Sequence, residues 1–323
     1  MLFEEQISRK PNLYPWTEEF INTMHNGFWT DKEFNFQSDI QDFKTKLSHK
    51  EQEVVKRTLS AIGQIEIAVK KFWAKLGDNF PHPSITDLGY VMANVEVIHN
   101  NAYERLLKVL GLEDIFEENL KHAVISGRVN YLRKYLHKFH KDNKKQFVYS
   151  LILFTLFIEN VSLFSQFYII LWLGRYKNLL KDTNQQVLYT KNEELIHAQV
   201  GIKLIKVLRK EYPELFDKEL EEKIIAESNE AFAQESLMID WILEGYEGER
   251  ISANILKGYV QQRLNDSLEE IGYKKIFKVD KAVARDFEWM DEETLGNSST
   301  DFFYKRPVDY SKKSQSITAS DLF

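Results

Sequence analysis

Between Phe147 and Gly174 the chain reads FVYSLILFTLFIENVSLFSQFYIILWLG, and Glu159 is the only formal charge in that run. An ionised carboxylate moved unpaired into a dry interior costs many kcal/mol. Such a group has to be paired, protonated, bound to a metal, or exposed. A helix apolar on every side belongs at the centre of a bundle, which makes Glu159 an inward-facing acid. The run is also long enough to cross a bilayer, for which roughly 20 apolar residues suffice. Against a membrane span stand Glu159, Asn160, Ser162, Ser165 and Gln166 near its middle, where polar groups are costly. The chain has no second segment of this kind. The reading is a buried core helix, with no membrane partner.

The rest of the chain supplies the other rods of an all-α bundle. HKEQEVVKRTLSAIGQIEIAVKKFWAKLG has helical apolar spacing and ends on Gly77, and ITDLGYVMANVEVIHNNAYERLLKVLG ends on Gly111. ISGRVNYLRKYLHKFHKDNKKQ is amphipathic and basic, and two further long helices follow the apolar run, one of them NQQVLYTKNEELIHAQVGIKLIKVLRKEY. Residues 1–30 read as an irregular arm with aromatic anchors at Tyr14, Trp16, Phe28 and Trp29. Residues 31–290 read as one helical domain. Residues 291–323 are rich in Ser, Thr and Lys without periodicity and read as a flexible tail. Aromatic residues are 13% of the chain, so its core should be large and ring-rich.

A net charge of −6 gives no reason to expect a nucleic-acid partner. There is no cysteine, which excludes disulfides, thiolate metal sites, iron–sulfur clusters and thiol nucleophiles on this chain. The N-terminus MLFEEQISRK lacks a basic stretch followed by an apolar one, so a cytoplasmic protein without signal peptide is the expectation.

Partners for Glu159 are found on the other rods. Glu96 and His99, in EVIH, are three residues apart, and so are Glu194 and His197, in EELIH. That spacing puts both side chains of each pair on one helix face. No other histidine of the chain has Glu three residues before it, and Glu66 adds a lone acid in another apolar helix. The order is Glu66, Glu96-x-x-His99, Glu159, Glu194-x-x-His197: a lone acid followed by Glu-x-x-His, twice. Two helices giving one Glu each and two giving Glu-x-x-His form the ligand set of di-iron and di-manganese carboxylate bundles. Four carboxylates offset the four charges of two divalent ions, and two imidazoles complete sites suited to iron or manganese. A rival pair, His137 and His140, sits among Lys and Arg residues that repel cations and reads as a solvated face.

With these residues in place, VEVIHNNAY, FIENVSLFSQF and NEELIH resemble the radical-generating small (beta) subunit of class I ribonucleotide reductase. The resemblance covers the chain from about Trp29 to the tail. It implies a ferritin-like helical bundle with a dinuclear metal site in its core and a homodimer. It also implies that the chain makes the oxidant for a separate large (alpha) subunit, which carries the cysteines and the nucleotide site. Tyr103, four residues after His99, occupies the place of the family's radical tyrosine; otherwise it is a core tyrosine. Trp29 resembles the tryptophan that begins electron transfer toward the partner; otherwise it is a buried anchor. The family has an acid, most often Asp, before the second Glu-x-x-His, and joins it to that tryptophan and to the first histidine. Here the acid is Glu193, one methylene longer. In the tail, DFFYKRPVDY resembles the segment whose tyrosine relays the radical between subunits, which points to Tyr310, with Tyr304 as rival. The end SITASDLF would dock on the large subunit through Leu322 and Phe323.

Lys70 lies one turn after Glu66, on the face that meets the metals. An ammonium there would pair with carboxylates, hydrogen-bond Tyr103, or attract an anionic oxidant such as superoxide. This resembles a subclass (class Id) with a dimanganese cofactor activated by superoxide and no stable tyrosyl radical. It implies two manganese ions, with two iron ions or a mixed Mn/Fe pair as alternatives, and a superoxide source or activating flavoprotein as helper. The plain alternative is a solvated lysine. Other ferritin-like dimetal oxidases and oxygenases share the six ligands, and a metal-free helical scaffold is the reading from a different class.

Overall fold

The computed structural model describes residues 1–136 and 143–298, without the side chains at 66–68, 132–136 and 292–298. Its helices are α1 (Trp16–Asn26), α2 (Gln37–Thr45), α3 (His49–Ala74), α4 (Leu76–Asn79), α5 (Pro83–Leu110), α6 (Glu113–Asn119), α7 (Ala123–Leu136), α8 (Lys144–Leu153), a π-helix (Phe154–Ser162), α9 (Phe164–Lys177), α10 (Lys181–Glu211), α11 (Lys218–Leu243), α12 (Ala253–Glu270) and α13 (Lys281–Ser298). Among the described residues there is no β-ladder beyond one isolated bridge, Gly248 to Ile251. The all-α expectation holds.

The start of α3 and both ends of α5 have local causes. Ser48 and Glu51 form a reciprocal capping box that opens α3. Pro83 stands in the first turn of α5, and Gly111 closes it in the left-handed region (φ 70°). The start of α10 is capped from outside the helix. Asp39 on α2 is buried and accepts bonds from the Thr183 amide and hydroxyl, both at 2.7 Å. Asp42 accepts the Leu180 amide at 3.1 Å. Two acids at a helix N-terminus satisfy orphan amides and favour the dipole.

The apolar run does form the central rod. Helix α8, the π-helix and α9 follow one another almost without a break, and all nine residues of the π-helix are buried. This rod is long and apolar enough to cross a membrane, yet it is enclosed by protein like any core helix. The π-helix and α9 pack on α10, and α3 packs on α5 and α9. The four rods therefore surround one core. Gly201 lets α10 approach the π-helix closely, because a Cβ there would collide with Thr155.

The N-terminal arm is more ordered than its sequence suggests. Where residues 1–30 read as irregular, Trp16–Asn26 is an α-helix lying on α5. Thr17, Phe20 and Met24 form its buried stripe. A short amphipathic segment gains its helicity from that packing rather than from propensity.

Candidate metal centre

The predicted ligands come from four rods: α3 carries Glu66, α5 carries Glu96 and His99, the π-helix carries Glu159, and α10 carries Glu194 and His197. The Glu66 side chain lies outside the described residues. The other five are buried. Donor atoms of Glu96, Glu159, Glu194 and His197 all lie within 4.8 Å of one another. His197 Nδ1 is 2.8 Å from Glu96 Oε1, 3.6 Å from Glu159 Oε2 and 3.6 Å from Glu194 Oε2. His99 Nδ1 is 3.1 Å from Glu194 Oε1 and 3.4 Å from Glu96 Oε2. Both imidazoles thus turn the same nitrogen toward the same carboxylates.

Several of these atoms have no ordinary partner. Both carboxylate oxygens of Glu96, Oε2 of Glu159 and both ring nitrogens of His197 are buried without a hydrogen bond of proper geometry. Orphaned buried polar atoms on this scale are rare in folded proteins. Carboxylate oxygens mixed with imidazole nitrogens are also the donor set that iron and manganese take. The residues present fit a cation pair.

The electrostatics lead the same way. Burial first, and then the charge of Glu194, pushes the Glu159 carboxyl well above the ordinary carboxylate range. Burial opposes the ionisation of Glu194, but close contact with Glu159, His197 and His99 outweighs it and holds that carboxyl far below the range. Glu96 is raised by burial and by Glu194, yet its contacts with His197 and His99 keep it low. Burial works against the His197 cation, and Glu96 with the other carboxylates raises it well above the imidazole range. Carboxylates crowded this closely in a dry core favour a cation among them.

Residues outside the cluster orient it. Trp29, fully buried, follows α1 in the chain, and its Nε1 donates to Glu193 Oε2 at 2.8 Å. The same oxygen lies 2.8 Å from His99 Nε2. The longer acid therefore does reach both partners. A carboxylate at that nitrogen draws the imidazole proton to Nε2 and leaves the Nδ1 lone pair facing the cluster. Tyr103 is buried on α5, and its hydroxyl donates to Thr190 Oγ1 at 3.2 Å. Lys70 is half-buried, and its Nζ donates at 3.0 Å to Oδ1 of Asn100, the residue after His99. Tyr304, Tyr310, Leu322, Phe323, His137 and His140 lie outside the described residues.

The sequence reading passed over Trp73, which donates from Nε1 to Glu159 Oε1 at 2.6 Å and lies on α3. A signal existed: Trp73 follows Glu66 by two helical turns, so the two share a face. The π-helix under Glu159 left no such sign.

Comparison with known proteins agrees with the geometry. The family described as ribonucleotide reductase, small chain, matches residues 6–284. A probable ribonucleoside-diphosphate reductase small subunit of Invertebrate iridescent virus 3 is 24% identical over 328 residues, covering 97% of this chain and 86% of that one. The ribonucleotide reductase R2 subunit from Clostridium botulinum superposes with a TM-score of 0.79 at 19% identity, over 87% of this chain and 88% of that one. A mutant R2-like ligand-binding oxidase with an anaerobically reconstituted Mn/Fe cofactor has a TM-score of 0.69 at 17% identity, over 82% and 95%. The two solved structures share this fold. With a match across most of its length and a buried Glu/His cluster among its core rods, the chain belongs to the ribonucleotide reductase small-chain family.

Proposed function

We propose that this chain is the oxidant-generating small subunit of a ribonucleoside-diphosphate reductase, acting with a large catalytic subunit. Glu66, Glu96, His99, Glu159, Glu194 and His197 would hold two metal ions, which would supply a one-electron oxidant. Two manganese ions are the reading for this chain, in keeping with Lys70 beside Asn100, where an ammonium favours an anionic oxidant such as superoxide. A similar fold holds a Mn/Fe cofactor in the R2-like oxidase, and two iron ions or a mixed pair are the alternatives.

The observation that carries this function is the chain Trp29–Glu193–His99. A ligand set alone is common to many carboxylate bundles. A fully buried indole tied through one carboxylate oxygen to a cluster imidazole would serve as an electron path with its proton accounted for. Trp29 can pass an electron inward while its N–H proton stays shared with Glu193 Oε2. Tyr310 would take the next position outward, on residues 291–323, and the apolar end at Leu322 and Phe323 would dock on the large subunit. Residues 31–290 would form the metal-bearing domain, behind an N-terminal segment 1–30 that contributes Trp29. Tyr103, held by Thr190, would be either a radical site or a core tyrosine next to a metal-only oxidant. The remainder of the reading is a homodimer in the cytoplasm, supported by a flavoprotein or other superoxide source.

Elemental analysis and low-temperature electron paramagnetic resonance, after exposure to oxygen or superoxide, test the proposal. About two metal ions per chain are expected, with turnover of ribonucleoside diphosphates only when the large subunit is added. Chelation should abolish turnover and lower the melting temperature, because bound ions stabilise the native state by mass action. A protein loaded with two ions that supports no turnover with its large subunit would favour an oxidase instead. A chain that takes up no metal would favour a scaffold.

A further inference from the structure

The segment carrying Glu159 is a π-helix, a rare conformation that is frequent at functional sites. Where such a segment returns to an α-helix its hydrogen-bond register changes, and carbonyls near the exit need donors from elsewhere. Two arginines from other helices meet that exit. Arg263 on α12 donates from Nε to the Asn160 carbonyl at 2.6 Å, and from Nη2 to Asn160 Oδ1. Its guanidinium carbon lies 3.4 Å from the centroid of the Phe164 ring, and Asn160 Nδ2 donates to Ser267 Oγ on the same helix at 2.7 Å. Arg128 on α7, fully buried, donates from Nη2 to the Ser162 carbonyl and, at 3.2 Å, to Gln166 Oε1. Its Nε is 3.2 Å from Glu235 Oε1, also buried, and Nη1 reaches the Ala61 carbonyl on α3 at 3.4 Å.

We propose that Arg263 is a positioning residue for the metal centre, with Arg128 as its counterpart: together they lock the π-helix so that Glu159 faces Glu96, Glu194 and His197. This rests on the metal-binding reading above. The geometry is direct, since Arg263 grips the residue immediately after Glu159 by its backbone and its side chain at once. An α-helix rotates about 100° per residue, so a π-helix that relaxed to α would swing Glu159 off the cluster by about that angle. A guanidinium suits the task because its planar fork serves a carbonyl and an amide oxygen together, while an ammonium offers one point charge. The bonds of both arginines go to residues after Glu159, to the Asn160 and Ser162 carbonyls, so their hold is on the backbone of the π-helix.

The test uses the full-length apo protein, titrated with Mn(II) and followed by the resonance of free Mn(II), alongside hydrogen exchange of amides 159–163. Wild type should bind about two ions per chain. Arg263→Met should keep its helical circular dichroism, exchange faster at 159–163 before any metal is added, and bind one of the two ions about tenfold or more weakly. Arg263→Lys should recover part of both. If Arg263→Met is insoluble, Arg263→Gln, which keeps one donor, should show a smaller weakening and a smaller rise in exchange. Wild-type exchange and wild-type affinity in the soluble variant would overturn the proposal. A wild type that binds no Mn(II) would overturn the metal reading instead, and the exchange rates would still decide whether Arg263 holds the π-helix.

Discussion

Trp73 Nε1 donates a 2.6 Å hydrogen bond to Glu159 Oε1, joining α3 to the π-helix inside the core. The indole also stands edge-on to Phe154 at 5.4 Å and lies 6.0 Å from the His197 ring. One oxygen of Glu159 is thereby fixed, and the other, Oε2, is left facing His197 at 3.6 Å. The contact sets which oxygen is available to a cation, much as Glu193 does for His99.

Replacing that donor should be felt twice. Trp73→Phe leaves Glu159 Oε1 buried without its partner, at a cost of roughly 1–3 kcal/mol. Urea unfolding of the apo protein measures this loss. With Glu159 freer to rotate, affinity for the metal should fall about tenfold in the same variant. Unchanged stability and unchanged affinity would show that the indole only fills space.

Glu193 serves two donors with one oxygen. Glu193→Ala should lower metal affinity by about 10–100-fold, because His99 loses the group that sets its proton. Turnover with the large subunit should remain depressed even at saturating metal, since Trp29 also loses its acceptor. Glu193→Gln retains an oxygen that can accept both bonds, so it should keep more of its metal than the alanine variant. Equal metal titrations and equal turnover for the two variants would argue against the chain from Trp29 to His99.

Glu51, at the start of α3, gives a pH signature away from the metals. Burial alone would raise its carboxyl, but Lys177, the Ser48 amide and hydroxyl, and the Tyr246 hydroxyl together bring it down to about 2. Because the folded value lies below the unfolded one, near 4.3, its contribution is fully present above that pH. The contribution is lost as pH falls from about 4.3 toward 2. Glu51→Gln should therefore lower stability at neutral pH by roughly 2 kcal/mol, allowing for the exposed end of Lys177. The difference from wild type should shrink steadily in acid, as read by urea unfolding across pH. A gap that stayed constant down to the acid limit would assign the loss to packing.

The residues themselves determined the candidate cluster and its order. A Glu-x-x-His pair on a helix must present both side chains to one side, and a lone acid inside an apolar rod must find a partner, so local spacing alone was enough to assemble Glu96, His99, Glu159, Glu194 and His197 on paper. The apolar rod was legible for the same reason: a helix without a polar face has nowhere to go but inward. The tertiary structure decided what no local period encodes. The helix Trp16–Asn26 forms because α5 covers its stripe. The start of α10 is capped by Asp39 from a different helix, 144 residues before Thr183. The π-helix, the Trp73 bond across 86 residues and the grip of Arg263 on Asn160 across 103 depend on elements that meet only after the chain has folded. One extra residue per turn leaves apolar spacing almost unreadable in a segment that is apolar throughout, and helical spacing can set Trp73 on the face of Glu66 without naming Glu159 as its acceptor.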